Sequence, residues 1–439
     1  MSQYFQQLLQ GLNAELRGGE HFTFSYNAET SDFIRFNHAK VRQAGHVEQA
    51  SGQLTLIHQE RQADLRLTLC GEFGLDGQRL AESLEQLREI LPLLPADPYL
   101  KLNTSQWHSD NTQHSDLPQA AHVVEQLCTA ALGLDLVGIY AAGTLHRGFA
   151  SSHGAFGWHQ ADSFNLDWSL FHANGQAVKS NYAGQTWQTD EFSRRLMLAC
   201  EQLEHLGRPA KVLPPGQYRA YLAPAAVDEI IAMLAWGGFS AQSIASKSSP
   251  LQKLYSQDAS LSDQVTLAEQ VSGSLSPAFS QEGYPRTDLT LIAAGQSANR
   301  LVDSRSAAEY GLVNNGAGWG ESPSALAMAS GDLPLADILQ RLGTGLYISN
   351  LWYLNYSDLP AGRMTGLTRF ATFWVQDGRI EAPVNTMRFD DSVYSLLGSE
   401  LEALTSEREM ILSTSTYGER QTASSLLPGA LINKLTLTL

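Results

Sequence analysis

Apolar residues fall at helical spacing over residues 4–17 (YFQQLLQGLNAELR), and Gly18-Gly19 closes that run. The pattern then switches to alternation. FTFSYNAETSDFIRFNHAKVRQAG (22–45), QLTLIHQERQ (53–62) and DLRLTLCGEF (64–73) alternate apolar with polar positions, with turn residues at Asn27/Ala28, Asn37/His38 and Gln59–Gln62. Period-two alternation broken in this way predicts an antiparallel meander with one covered face. Helical spacing returns in 77–92 and 117–133. A second, aromatic-rich strand group is expected over 134–187, and a helix over 190–207.

The texture changes near residue 208. RPAKVLPPG is Pro-rich and basic, as a linker or crossover would be. QYRAYLA (217–223) reads as a strand and AAVDEIIAMLAWGGF (225–239) as a helix stopped by Gly237-Gly238. From residue 260 on, short strands alternate with Gly/Ser/Asn/Pro turns, interrupted by weaker helical segments near 333–343 and 392–404. The expected fold class is α+β. Residues 1–212 would form an antiparallel sheet with helices, and residues 213–439 a mostly-β, barrel- or sandwich-like domain with a few helices.

Composition narrows the function classes. A chain of 439 residues fits two or three domains at about 150 residues each. Its net charge of −16 repels phosphate backbones and anionic lipid surfaces, which argues against direct nucleic-acid or membrane binding. The start, MSQYFQQLLQGLNAEL, lacks the basic and apolar regions of a signal peptide. The most apolar stretch, 222–239, carries Asp228 and Glu229 and is too polar to span a bilayer. Cys70, Cys128 and Cys200 form no CxxC pair and no disulfide framework. A cytoplasmic protein is expected.

All 12 His and all 3 Cys lie between His21 and His205. The chain from Leu206 onward therefore offers no imidazole or thiolate to a zinc ion, and no His base to a nucleophile. In the first half, His122 and Glu125 sit i,i+3 on a helix, and Cys200, Glu204 and His205 could share a helix face. Neither group has further ligands at a recognisable spacing, and ordinary helix surfaces explain both. Ser151-Ser152-His153-Gly154 lacks the G-x-S-x-G frame of a nucleophile elbow and reads as a turn. NNGAGWGE (314–321) lacks the Lys-Ser/Thr that completes a phosphate cradle and reads as a flexible loop.

Several segments together carry a resemblance. GQYRAYLAPAAVDEIIAMLAWGGFSAQS (216–243), FSQEGYPRTDLTLIAAGQ (279–296), LPLADILQRLGTGLYISNL (333–351), TRFATFWVQDGRIEAPV (368–384) and LLPGALINKLTLT (426–438) follow one another in the order and spacing of the TldD/PmbA family. They are similar to its strand–"P-x-A"–helix, "D-x-E-G-x-P", "l-x-x-G-l-y-V-t", "G-x-F-x-I-E-N-G-x-I-x-x-P-V" and closing-strand segments. SDFIRFNHAKVRQAG (31–45) and RGFASSHG (147–154) resemble stretches of its N-terminal domain. The family is known as modulators of DNA gyrase and as zinc metallopeptidases.

The resemblance implies a specific loss. TldD-type members carry H-E-x-x-x-H on the helix after the "P-x-A" strand and a later Cys as a further zinc ligand. Laid on this chain, Ala232 and Met233 stand at the His-Glu pair and Gly237 at the second His. The Cys falls near residues 369–372, where none exists. The chain thus resembles the PmbA (TldE) kind, with no metal or cofactor of its own and zinc expected in a TldD-like partner. The stretch RMTGLTRF (363–370) departs from the family's "T-G-D-x-S-x-G". The implied role is a non-catalytic subunit, in a heterodimer with a TldD-like chain or in a homodimer, that helps hold an unfolded peptide. Glu282, Gly283, Pro285 and Arg286, with Arg363 and Arg369, are the expected cleft-lining residues. Two alternatives remain: an independent metallopeptidase using His122 and His205, and a homodimeric peptide- or protein-binding scaffold of the gyrase-modulator type.

Overall fold

Helix α1 (Ser2–Glu15) turns Phe5, Leu8, Leu9 and Leu12 to one side, the i, i+3, i+4, i+7 pattern, and all four are buried. They need a sheet to cover, and β1 (His21–Asn37), β2 (Lys40–His58) and β3 (Arg61–Leu69) provide it as an antiparallel meander. The structure, a computed structural model, describes residues 1–438. The two hairpin turns use His38-Ala39 and Gln59-Glu60, all four at positive φ, which matches the twist of the strands they join. No turn forms at Asn27/Ala28. There β1 runs straight on, paired to β2 on one edge and to the later strand β5 on the other. Ladders on both edges, with Tyr26 and Ala28 buried, outweigh the local turn preference of Asn.

The chain continues through α2 (Phe73–Ile90), β4 (Trp107–Gln113), α3 (Ala120–Ala130), β5 (Asp135–Ser151), β6 (Ala155–Phe171), β7 (Ala177–Gly184) and α4 (Thr189–Leu206). The described strands form a seven-stranded sheet ordered β3-β2-β1-β5-β6-β4, with β7 also on β6. One end of a face packs on α1 and α2 through Phe24, Leu54, Leu84 and Leu87. The other end packs on α3 and α4 through Val123, Leu127, Tyr140, Trp168 and Phe192. The residues between them in β1, β5 and β6 point the opposite way, and the second half of the chain covers part of that face. Phe149 packs on Phe279, and Ala161 on Leu275 and Leu412.

The second half holds β8 (Gly216–Leu222), α5 (Pro224–Ala235), β9 (Leu267–Glu269), β10 (Leu289–Ala293), β11 (Gln296–Ser297), β12 (Ala325–Met328), β13 (Gly345–Asp358), β14 (Arg363–Gln376), β15 (Arg379–Pro383), β16 (Arg388–Ser392), β17 (Leu401–Leu412) and β18 (Ser424–Leu437). The fold class is α+β, but the expected barrel or sandwich is a single eleven-stranded sheet. It curls until β18 meets β8, yet β16 and β18 share only the pair Phe389–Leu437, so it does not close as a barrel. Helix α5 lies on it, burying Ala226, Val227, Ile230, Ile231, Met233 and Leu234. The helix expected over 392–404 is one irregular turn, Ser395–Ser399, broken at Gly398, after which β17 begins. No helix among the described residues is long and apolar enough to cross a membrane.

The loop between β17 and β18 joins the halves. Its Arg420, 4% exposed, enters the first sheet from the covered face. The guanidinium donates to the Ser163 hydroxyl (2.7 Å) and carbonyl (2.9 Å), the Ser31 hydroxyl (3.3 Å) and the Gly143 carbonyl (3.2 Å). The Arg420 N–H donates to buried Glu29 at 3.2 Å, and Arg147 donates to the Arg420 carbonyl at 3.0 Å. Burial lowers the Arg420 pKa to about 10, against the pull of the Glu29 carboxylate. Arg420→Ala leaves Glu29 and four acceptors without this cation. It is expected to cost about 3 kcal/mol in denaturant unfolding and to speed proteolytic nicking between β17 and β18.

His146 gives a second test. It is 6% exposed, its ring lies tilted against Trp158 with centres 5.6 Å apart, and burial lowers its pKa to about 4. The folded state holds the neutral ring while the unfolded chain takes up a proton near pH 6.5. This stability is complete above that pH and is lost as pH falls toward 4, by up to about 3 kcal/mol. His146→Phe should show a shallower loss of thermal stability over the same interval.

Candidate functional site

A cavity of about 1310 Å³ opens between the two halves. Strand β7 and helix α4 form one wall; α5, β17 and the ends of β13 and β18 form the other. Among the described residues, β7 pairs only with β6, and residues 408–412 of β17 pair only with β18. Both halves therefore bring unpaired strand edges to the same space.

Helix α5 starts where β8 ends beside β13, and the Ala223 N–H donates to the Ile348 carbonyl at 3.0 Å. Pro224 occupies its first position, where a missing N–H costs nothing. The sheet takes the apolar side of the helix, which leaves Ala225, Asp228, Glu229, Ala232 and Ala235 on the cavity. Burial raises the pKa of both Asp228 and Glu229. The Ser425 hydroxyl opposes the shift at Asp228 by donating to its carboxylate. The neighbouring Asp228 adds to the shift at Glu229, and Lys179 opposes it.

The facing wall is charge-paired. Glu191 accepts from Arg194 (2.8 Å) and Arg195 (2.7 Å). Arg195 also pairs with Glu409 of β17, donates to the Asn181 carbonyl at 2.6 Å and lies 5.3 Å from the Tyr182 ring centre. Lys179 pairs with Asp167 at 3.2 Å. Several polar atoms on the cavity wall have no protein partner: Tyr221 OH, Ser349 Oγ, Asn350 Oδ1, Asn181 Oδ1 and His205 Nδ1.

The positions singled out in the sequence are scattered. Ala232 lies on the cavity but presents a methyl group. Met233 is turned into the core and is 9% exposed. Gly237 lies beyond the helix end at φ +80°, and a Cβ there would sit 3.2 Å from Ser243 Oγ. These three positions supply no donor that suits zinc. Among the described residues, no group of three or more His, Cys, Asp or Glu is placed to hold a metal ion.

None of Glu282, Gly283, Pro285, Arg286, Arg363 and Arg369 lines the cavity. Gly283, at φ +77°, packs so closely on Phe149 that a Cβ would overlap its ring, and its carbonyl accepts from Asn103 and from Trp107 Nε1 (2.8 Å). This turn docks the second half on the first. Beside it, Glu282 accepts the Ser304 N–H at 3.0 Å, while Pro285 is exposed. Arg286 is buried in an ion pair with Glu269 and donates to Ser324 at 2.9 Å. Arg363 pairs with Asp390, and Arg369 lies over Trp352 and Phe370 at 5.7 and 5.3 Å.

Of the other candidates, His122 contacts Gln126 at 2.9 Å on the surface, and His205 reaches the cavity wall edge-on to Phe373 at 5.8 Å. Ser152 accepts the Phe22 N–H at 3.1 Å, and His153 stacks on His21 at 4.3 Å, within a turn. The loop 314–321 is anchored rather than loose. Glu321, 2% exposed, accepts from the Ser240 hydroxyl (2.6 Å) and the Gln242 (2.9 Å) and Asp303 (3.0 Å) N–H groups. The groups that sequence reasoning missed are Asp228 and Glu229, visible only as charges inside an apolar helix, and the Arg195–Glu409 pair, which no local pattern announces.

Residues 215–439 match the family described as the PmbA/TldA metallopeptidase C-terminal domain. Comparison with curated proteins finds no match to the sequence. Among solved structures, TldE from Thermococcus kodakarensis aligns with a TM-score of 0.79 at 14% identity, covering 99% of this chain and 100% of that one. A protein named as a modulator of a DNA gyrase from Thermotoga maritima gives 0.75 at 14%, with 100% of both chains covered. Another of that name from Bacteroides thetaiotaomicron gives 0.74 at 14%, covering 100% of this chain and 98% of the other. At this identity the likeness to these structures is one of fold.

The Arg195–Glu409 pair spans the cavity walls, and a double-mutant cycle measures its strength. With Arg195→Ala and Glu409→Ala, unfolding should return a coupling of about 1–3 kcal/mol, well above that of an exposed ion pair.

Proposed function

This chain belongs to the TldD/PmbA family, and from that membership we propose that it is the non-catalytic subunit of a TldD-type peptidase. It completes a chamber around the zinc site of a TldD-like partner and holds an unfolded peptide there. The observation that carries the proposal is one wall of one cavity. The helix on which TldD-type relatives place H-E-x-x-x-H borders a large peptide-sized space, and here it presents Ala232 to that space and buries Met233.

Cavity size favours a chain-like ligand. At about 1310 Å³ the space exceeds the roughly 300–1,000 Å³ of small-molecule sites. The free edges of β7 and β17 suit addition of an extended segment, which takes its affinity from main-chain hydrogen bonds and leaves sequence little constrained. The proposed setting is the cytoplasm, where the free thiols of Cys70, Cys128 and Cys200 stay reduced.

The test is reconstitution. The purified chain should bind an unfolded peptide without cleaving it and should show no stoichiometric zinc by elemental analysis. With a TldD-like chain bearing H-E-x-x-x-H it should co-purify, and cleavage should appear. One tightly bound Zn²⁺ per isolated chain, or cleavage by it alone, overturns the proposal.

A further inference from the structure

We propose that Arg369, clasped between two aromatic rings beside the cavity, recognises a carboxylate of the peptide, either its C-terminal group or an Asp or Glu side chain. The inference rests on the peptide-binding reading and adds the chemistry of the ligand.

Two strand irregularities build the clasp. Between the pairs Ile348–Thr372 and Asn350–Arg369, β14 carries one residue more than β13; between Trp352–Leu367 and Asn355–Thr365, β13 carries the extra one. Each is a β-bulge, and each holds an aromatic residue at φ +57°, Phe370 in β14 and Tyr353 in β13. Bulky side chains avoid that region, and glycine is its usual occupant. Bulges re-aim side chains. In a regular strand Arg369 and Phe370 would point to opposite faces. Here they come together: the guanidinium carbon lies 5.3 Å from the Phe370 ring centre and 5.7 Å from that of Trp352.

The rings hold the guanidinium while its donors stay uncommitted. Arg369 is exposed, and among the described residues it makes no ion pair and no side-chain hydrogen bond. Arg363 of the same strand is spent on Asp390. Arg208, Arg379 and Arg408 on the cavity wall also lack ion pairs, but no aromatic ring holds any of them, and Arg208 and Arg408 already donate to main-chain carbonyls. A held planar fork with its donors free matches the two oxygens of a carboxylate.

The clasp adjoins the cavity without lining it. Asn350, the ladder partner of Arg369, is on the wall, and so is Lys179, whose ammonium lies 6.0 Å from the Phe370 ring centre. Asp167 and Glu229 on this side of the cavity act on Lys179, and neither pairs with Arg369. Lys179 stands near the start of β7, whose edge is open to an extended segment. A segment added antiparallel to that edge has its C-terminal end toward the start of the strand. Its carboxylate then arrives on the Phe370 side of the cavity.

The experiment measures binding of one short acetylated peptide of Ala, Ser, Thr and Val to the full chain by calorimetry. Three forms are compared: free C-terminal carboxylate, C-terminal amide, and amide with one central Glu. A carboxylate-bearing form should bind about tenfold more tightly than the neutral amide, the equivalent of one charged hydrogen bond. Which of the two gains identifies the source of the carboxylate. Arg369→Gln should lose that preference and keep its affinity for the amide, which also reports that it is folded. Equal binding of all three forms, or a preference that survives in Arg369→Gln and so belongs to the other arginines, overturns the inference and leaves the peptide reading standing. No binding of any form overturns both.

Discussion

The guanidinium of Arg420 sits inside a sheet to which its own strands do not belong, and the relation between the two halves depends on that placement. A buried cation is tolerated only when its donors are used and its charge is answered. Here Ser31, Gly143 and Ser163 take the donors, and Glu29 answers the charge. Those groups come from β1, β5 and β6, which are adjacent in the first sheet. Apolar contacts at Phe149–Phe279 and Ala161–Leu412 surround the site and supply area, but area alone is indifferent to register. The arginine fork demands one alignment of loop and sheet. With that alignment set, β17 lies beside β7, with Ala183, Met410 and Leu412 in one cluster, and both strands border the cavity.

Much of the first half was legible because its signals are local. The turns at His38 and Gln59 fall in short polar breaks, and the flanking alternation is clean. Asn27 misled because a turn preference is a property of a few residues, whereas the ladders on both edges of β1 are set by strands far along the chain. The second half was legible as β-rich but not as a curled sheet. Its parallel pairs, β8 with β13 and β12 with β18, join segments roughly a hundred or more residues apart. The start of β17 was hidden within a stretch whose Leu, Ser and Glu content reads equally as helix.

The site divides the same way. Loss of metal ligands at residues 232, 233 and 237 could be read directly, because it concerns which side chains are present. Which residues line the cavity could not, because that depends on how two sheets meet. The EGYPR turn illustrates the difference. Its Gly283 is indispensable in the structure, but as the point where backbone must approach Phe149. A motif kept for docking looks the same in sequence as one kept for chemistry. Glu409 reaches Arg195 across more than two hundred residues, a distance that leaves no trace in local spacing.

The loop that carries Arg420 also frames the cavity, since Ser413 and Ala423 at its two ends lie on the wall. Prising the halves apart would draw a guanidinium out of its only set of partners, and the Arg195–Glu409 pair would part with it. The opening is therefore tied to the seat of one side chain: a change that loosens Arg420 among its partners also loosens the wall that Ser413 and Ala423 form.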